Sequence, residues 1–431
     1  MAVGRCRPTW LDVDLGACVH NLRQILERIR PRDVWPVVKA DAYGHGAVRV
    51  AQALAREKVA GFCVATASEG RELRQNGISE PILVMATLTA GGTENPFEMV
   101  VEYGLSAAVP DATTASNLAE AARAMRVGPA SVHLKIDTGM GRLGVSTDQA
   151  VGLAAAMRAD PALAFDGLFS NLATADEYEE GATGKAFVSA QVDAFRHICA
   201  ALGEEGNLPR IRTLANSAAV SHHPAAWEGM EFTGVRPGLA IYGASLTPDR
   251  PRLALRAAAR WCTSISAVRR MPEGSTVGYG CDAVLARPSR IAVLPLGYHD
   301  GLPRSVGRNA EVLVRGRRVS LIGRISMDLA LADVTDVSAA AAGDEVTIFG
   351  AASAESESVG RRESVYADTL ATAVGASDGS RETLKPEVNP RRTTPSVEEY
   401  AAWAGTIPHE ILSRVGTRVP RRYTEPEAGA S

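Results

Sequence analysis

The sequence lacks long apolar runs: none reaches the roughly 18 residues a membrane-spanning helix needs. Its first ten residues, MAVGRCRPTW, hold no apolar segment of the kind a secretory leader carries, so no signal peptide is expected. The six cysteines (Cys6, Cys18, Cys63, Cys199, Cys262 and Cys281) are scattered without a C-x-x-C pair. That argues against a zinc site or a disulfide framework and fits a reducing cytoplasm. The eight histidines form no H-E-x-x-H motif, and the adjacent His222 and His223 would point to different sides of a helix or strand, so no metal site is expected. Charge of one sign is not in excess either. A net charge of −3 gives no pull toward nucleic acid or anionic membrane. The small basic cluster Arg315, Arg317 and Arg318 reads as solvated surface. What remains is ordinary globular composition, 46% hydrophobic and 22% charged, in 431 residues. This is enough for two domains, or for a large barrel with a smaller partner.

The first 245 or so residues alternate in texture. Asp14 can cap a helix whose apolar positions Leu15, Val19, Leu22, Leu26 and Ile29 recur at helical spacing. Eight short apolar runs follow, at Val34–Val38, Phe62–Ala65, Ile82–Met85, Leu105–Val109, Val132–Ile136, Phe165–Phe169, Ile211–Ala215 and Phe232–Val235. Helix-like segments separate most of them, Ser68–Gln75 with Gly77 beyond it being one. Apolar strands between helices imply a parallel sheet covered on both faces, and eight is the number that closes a (β/α)₈ barrel. On periodicity alone a doubly wound open sheet is the alternative. After Thr247 the runs Ile291–Leu296, Ala310–Val314, Val319–Ile325 and Glu345–Phe349 are separated by turns with little helix. The expected plan is therefore a barrel over 10–247 and a mainly-β domain over 248–431, with residues 1–12 free to pack with the latter. Residues 351–396 have weak periodicity and read as a partly disordered surface excursion, with Tyr366–Val374 able to form a short helix.

In such a barrel the site forms at the carboxyl ends of the strands. The first strand ends in Lys39. The fifth gives Lys135 and Asp137, then Gly139-Met140-Gly141 and Arg142. The sixth ends in Asn171, the seventh in Asn216-Ser217, and the eighth in Arg236 followed by Gly238. Each has a plain structural reading: Lys39 as a strand-end charge, Gly238 as turn chemistry, Arg142 as a surface residue. Together they make a mouth of cations, small donors and glycines suited to a dianion. A lysine beside a phosphate site is what a pyridoxal phosphate enzyme needs, because its neutral amine bonds the cofactor's aldehyde.

The motifs VVKADAYGHG (37–46), HLKIDTGMGRLG (133–144), ANSAA (215–219), VRPGLAIYG (235–243), VGYG (277–280), LGYHDG (296–301) and GRISMD (323–328) resemble, in order, those of the alanine racemase family. GTIPHEIL (405–412) and RVPRRY (418–423) resemble its C-terminal signature, and about 351–396 is the long unmatched stretch. The resemblance implies a (β/α)₈ barrel followed by a β domain, pyridoxal 5'-phosphate as cofactor, and a homodimer with shared sites. It also implies racemisation of alanine by two-base proton transfer; the charge and the lack of long apolar runs add the expectation of neither nucleic acid nor membrane as partner. Lys39 matches the Schiff-base lysine and the base on one face of the substrate. Tyr279 matches the tyrosine that the neighbouring subunit brings to the other face. Arg236 matches the arginine facing the pyridine nitrogen, which a guanidinium leaves unprotonated. Arg142 matches the arginine near the cofactor's phenolic oxygen and the substrate carboxylate. Lys135 falls where many members carry a carbamylated lysine. Tyr43, Ser217, Gly238 and Leu239 fall at phosphate-binding positions, with Asn216 beside them in the Ala-Asn-Ser motif. Met327 matches a contribution to the carboxylate pocket, and Tyr298 a tyrosine at the substrate entrance.

Three positions depart from the family pattern. Asn171 stands for a histidine beside the cofactor ring, Thr213 for the histidine usual before Ala-Asn-Ser, and His409 for a tyrosine of the phosphate and substrate pocket. Asn171 hydrogen-bonds but does not hold a proton near neutral pH. One expectation is therefore an alanine racemase with a retuned pocket. The alternative is a biosynthetic relative acting on another amino acid, or one-sided carbanion chemistry such as decarboxylation. The H-x-G-G-type and E-P-G-R-type stretches of barrel decarboxylases are absent. Barrel-type non-catalytic carriers of the cofactor resemble only the first domain.

Overall fold

The computed structural model describes residues 7–307, 309–350 and 393–426. Among these the chain forms two compact units. One comprises Ala17–Thr247 with Pro251–Leu255; the other gathers the described residues before Ala17 and after Leu255, with Pro248–Arg250. No helix among the described residues is long and apolar enough to cross a membrane.

Strand β1 (Thr9–Asp14) belongs to the second unit. The first unit is built on eight strands: β2 (Asp33–Val34), β3 (Phe62–Val64), β4 (Ile82–Val84), β5 (Ser106–Val109), β6 (Ala130–Lys135), β7 (Leu163–Phe169), β8 (Ile211–Thr213) and β9 (Gly234–Val235). They pair in parallel in the order β2-β9-β8-β7-β6-β5-β4-β3. A parallel bridge between Val37 and Cys63, with Val38 N–H donating to Cys63 O at 2.8 Å, joins the two ends and closes the barrel. The expected (β/α)₈ barrel is therefore present and the open sheet is excluded. β3, β4 and β5 are buried throughout, as strands covered by helices should be. Inside the barrel His133 meets Trp35 and Phe169 edge-on, and Gly167 is glycine because a Cβ there would come within 2.5 Å of the His133 ring.

The second unit has a six-stranded sheet in the order β16-β15-β18-β10-β1-β19, comprising β10 (Ala259–Ser264), β15 (Glu311–Val314), β16 (Arg317–Ser320), β18 (Glu345–Gly350) and β19 (Arg421–Thr424) around β1. A three-stranded sheet joins β11 (Ala267–Met271), β14 (Ser289–Leu294) and β17 (Ala330–Asp333), and β12 (Thr276–Val277) pairs with β13 (Ala283–Val284). Trp261, Phe349 and Tyr400 stack into its core. Two sequence expectations are corrected here. The expected strand Val319–Ile325 is instead Arg317–Ser320. Arg318 is not solvated: its side chain is 3% exposed and pairs with Glu399 and Glu311, because a capped helix (Val397–Ala404) brings Glu399 over it. The Tyr366–Val374 helix, and the excursion up to residue 392, lie outside the described residues.

Candidate active site

The carboxyl ends of the barrel strands carry the expected group of side chains. After Val38 the chain makes a left-handed turn: Ala40, Asp41, Ala42 and Tyr43 all have φ near +53°. Left-handed backbone costs roughly 1–2 kcal/mol per non-glycine residue, so the surroundings must hold it. They do so by hydrogen bonds. Ala42 N–H donates to Val38 O (2.9 Å), Gly46 N–H to Asp41 O (2.9 Å), and Ala47 N–H to the Asp41 carboxylate (2.7 Å). Ala40 N–H donates to Glu69 Oε1 at 2.7 Å. Beneath the turn, the buried Tyr242 stacks on Tyr43 and His45 and donates its hydroxyl to Val37 O at 2.8 Å. This turn presents Lys39, half-buried, at the mouth. Burial and the Arg142 guanidinium push its amine below the usual lysine range, against the pull of the Glu69 carboxylate.

Tyr43 turns toward β9. A Cβ on Gly238 would lie 2.3 Å from the Tyr43 hydroxyl, so only glycine leaves this space open. Ser217 Oγ lies within reach of the same place, accepting N–H bonds from Gly238 (3.0 Å) and Ala240 (3.1 Å). Asn216 caps the short helix Ser217–His222 by accepting from Ala219 N–H at 3.0 Å, and Leu239 begins a 3-10 turn. Two hydroxyls converge here with the Gly238 and Ala240 N–H groups, which Ser217 Oγ accepts in this structure, and together they make a donor set of the kind a phosphate accepts.

Arg236 is 4% exposed and surrounded by neutral oxygens. It donates to Thr213 O (2.7 Å), the Thr213 hydroxyl, Ser170 O (2.5 Å) and Asn171 Oδ1 (2.9 Å), and lies over the Phe169 ring. Desolvation lowers its pKa to about 10, which leaves it a cation at neutral pH. Two of the three departures, Asn171 and Thr213, thus converge on this guanidinium. Lys135 shares the Phe169 ring, its amine 4.6 Å from the centroid. Burial, with Arg236 and Arg142 nearby, brings its pKa down to about 6. Arg142 rides on an exposed loop held by Asp137, whose carboxylate accepts from Gly139 N–H (2.9 Å) and Gly141 N–H (3.1 Å). The loop closes through Val145 N–H donating to Lys135 O.

Tyr279, Tyr298, Met327 and His409 belong to the second unit, where each is placed by local structure. Tyr279 projects, 70% exposed, from the β12–β13 hairpin. Arg324, three residues before Met327, donates to Asp282 in that hairpin at 3.0 Å. Tyr298 N–H donates to Ser326 O and His299 N–H to Met327 O, so the Tyr298 turn and the Met327 loop are one structure. His409 is on the helix Pro408–Ser413, which is followed by Gly416 N–H bonding Asp300 O. The sequence reading missed Glu69, Tyr242 and Gln191. Gln191 ties Thr138 Oγ1, Asn171 O and Ala173 N–H together. Of these only Glu69 had a legible signal, the T-x-x-E capping box Thr66–Glu69.

Comparison with known proteins covers most of the chain and reaches into the 351–396 stretch that the motifs leave unmatched. The alanine racemase N-terminal domain model matches residues 13–246 and the C-terminal domain model residues 258–382. An alanine racemase of Sorangium cellulosum is 38% identical over 429 residues, covering 97% of this chain and 100% of that protein. One of Geobacter sulfurreducens is 35% identical over 97% and 98% of the two chains. The crystal structure of alanine racemase from Streptomyces lavendulae superposes with a TM-score of 0.81 at 33% identity, covering 97% of each chain. Barrel, β unit and strand-end lysine define a pyridoxal phosphate-dependent isomerase. The chain belongs to the alanine racemase family.

Proposed function

We propose that this chain interconverts L- and D-alanine with pyridoxal phosphate, as a homodimer whose sites each use residues from both copies. One observation carries the reading: a lysine with a lowered pKa, a buried arginine with only neutral acceptors among the described residues, and a group of hydroxyl and N–H donors share neighbouring strand ends of one barrel. The bound cofactor would supply the electron sink for the carbanion left when the α-proton departs. Lys39 would hold the cofactor through its amine and, once the substrate amine has displaced it, would serve one face of the α-carbon as acid and base. Tyr279 from a second copy serves the opposite face, consistent with its exposure in the single chain. Tyr43, Ser217, Asn216 and the N–H groups of Gly238 and Leu239 hold the phosphate. His409 takes the place of the family's phosphate-contacting tyrosine. Arg236, a cation that does not give up its proton at neutral pH, would face the cofactor's ring nitrogen and leave it unprotonated, restraining the sink and disfavouring side reactions.

Arg142 binds the substrate carboxylate, with Met327 and Tyr298 of the second copy lining the pocket. Lys135, neutral at pH 7, attacks carbon dioxide through its lone pair, releases a proton, and becomes a carbamate that holds Arg142. Asn171 favours a second reading, in which the pocket serves another amino acid or exchanges protons mainly on the lysine face. Solvent-deuterium exchange with L- and D-amino acids, read by chiral separation and mass, tests the proposal. Inversion of alanine with label from either enantiomer is expected. Labelling without inversion, or loss of carbon dioxide, overturns it.

A further inference from the structure

We infer that Glu69 is a positioning residue for Lys39, holding the left-handed turn that aims the amine and setting a carboxylate beside it. The inference rests on Lys39 being the cofactor lysine. Glu69 is half-buried at the start of the helix Ala67–Gln75, where its Oε2 accepts from Ala65 N–H (2.7 Å) and Thr66 N–H (3.1 Å). Thr66 Oγ1 accepts in return from Glu69 N–H at 3.3 Å. A capping box needs only this much.

The other oxygen does something a cap does not. Oε1 crosses to the end of the neighbouring strand and accepts Ala40 N–H at 2.7 Å, the first peptide N–H after Lys39. The turn's own bonds begin only at Ala42 N–H. Ala40 N–H is therefore held from outside, at the residue where φ changes sign. One carboxylate thus ties the exit of β2 to the exit of β3, next to the bridge that closes the barrel. The charged groups acting on the Lys39 amine are Arg142, which opposes its protonation, and Glu69, which favours it; the buried Cys63 nearby stays a neutral thiol, its pKa pushed up to about 12.

Glutamine offers only one acceptor oxygen and turns an N–H₂ group toward an N–H, so it satisfies one end of the tie and not both. The test uses the full chain as wild type, Glu69→Gln, Glu69→Ala and Thr66→Ala. Competitive acetylation across pH, read by peptide mass spectrometry, gives the titration midpoint of Lys39 without cofactor. Addition of pyridoxal phosphate followed by borohydride reduction, above that midpoint, gives the site and limiting rate of bond formation.

In both Glu69 variants the midpoint should move to lower pH and the limiting rate should fall, roughly tenfold in Glu69→Ala. Thr66→Ala removes the cap hydroxyl but not the tie. It should lower the thermal midpoint and leave both Lys39 readouts at wild-type values. Unchanged Lys39 readouts in Glu69→Ala, or equal changes in Thr66→Ala, overturn the inference. A wild-type adduct on a different lysine overturns the cofactor assignment itself, and the positioning role with it.

Discussion

Arg236 is buried among oxygens that carry no charge, and this makes its neighbours count for more than usual. A histidine at position 171 or 213 would add a group that titrates near neutrality; Asn171 and Thr213 accept from Arg236 through oxygens that stay uncharged at every pH of interest. Asn171→His should therefore restore a proton-holding neighbour and raise hydrogen exchange on the tyrosine face. An unchanged ratio of label incorporation between the two enantiomers would count against this. Lys135 makes the second residue-level prediction. Its pKa of about 6 leaves the amine neutral at pH 7 and cationic below. Carbon-13 bicarbonate should give a carbamate signal near neutral pH that fades as pH falls through about 6 and is absent in Lys135→Ala. Persistence of the signal in that variant would place the adduct elsewhere.

The element that decides the site is the left-handed turn Ala40–Tyr43, and nothing in its sequence announces it. KADAY has no glycine, and its conformation follows from Glu69, Asp41 and Tyr242, whose contacts are made only in the folded barrel. Ala40 is exposed with φ of 53°, so Ala40→Gly removes the Cβ clash at the expense of a more flexible unfolded chain. The balance should stabilise the protein by about 0.5–1 kcal/mol in urea unfolding. A loss of stability would mean the turn is not strained. The barrel strands were legible because burial on both faces writes them as apolar runs, and their ends located Lys39, Arg142, Asn171 and Arg236. Within the run Val34–Val38 the hydrogen bonds continue, Trp35 N–H to Val235 O and Val37 N–H to Pro237 O, but Pro36 and Pro237 have no N–H to give and leave gaps in the ladders on either side. β1 and β19 were not legible as sheet members, since their pairing is with each other and with distant β10. Arg318 was misread for the same reason: its partner Glu399 is remote in sequence.

At the scale of the whole molecule, Asp300 gathers both ends of the described chain in the second unit. Its carboxylate, fully buried, accepts from Arg7 near the start, Arg418 near the end, and Gly297 N–H. Burial alone would raise its pKa; the two guanidiniums and the N–H outweigh that and hold it below the usual carboxylate range. A carboxylate depressed on folding stabilises above its unfolded pKa, and that contribution is lost as pH falls through the folded value. Asp300→Asn should cost about 1–3 kcal/mol at pH 7, because the half-exposed Arg7 loses its carboxylate partner while Arg418 keeps Asp328. The deficit should shrink in acid, and an equal loss at every pH would refute the charge argument. Barrel closure has a consequence of a different kind, in the order of synthesis. The strand before Lys39 pairs on one side with β3, an early neighbour, and on the other with β9, the last barrel strand made. A ribosome-bound chain therefore cannot complete the seat of the lysine until the final strand has emerged. The burial of Lys39 and the pairing of its strand on both sides thus come together only in a finished barrel.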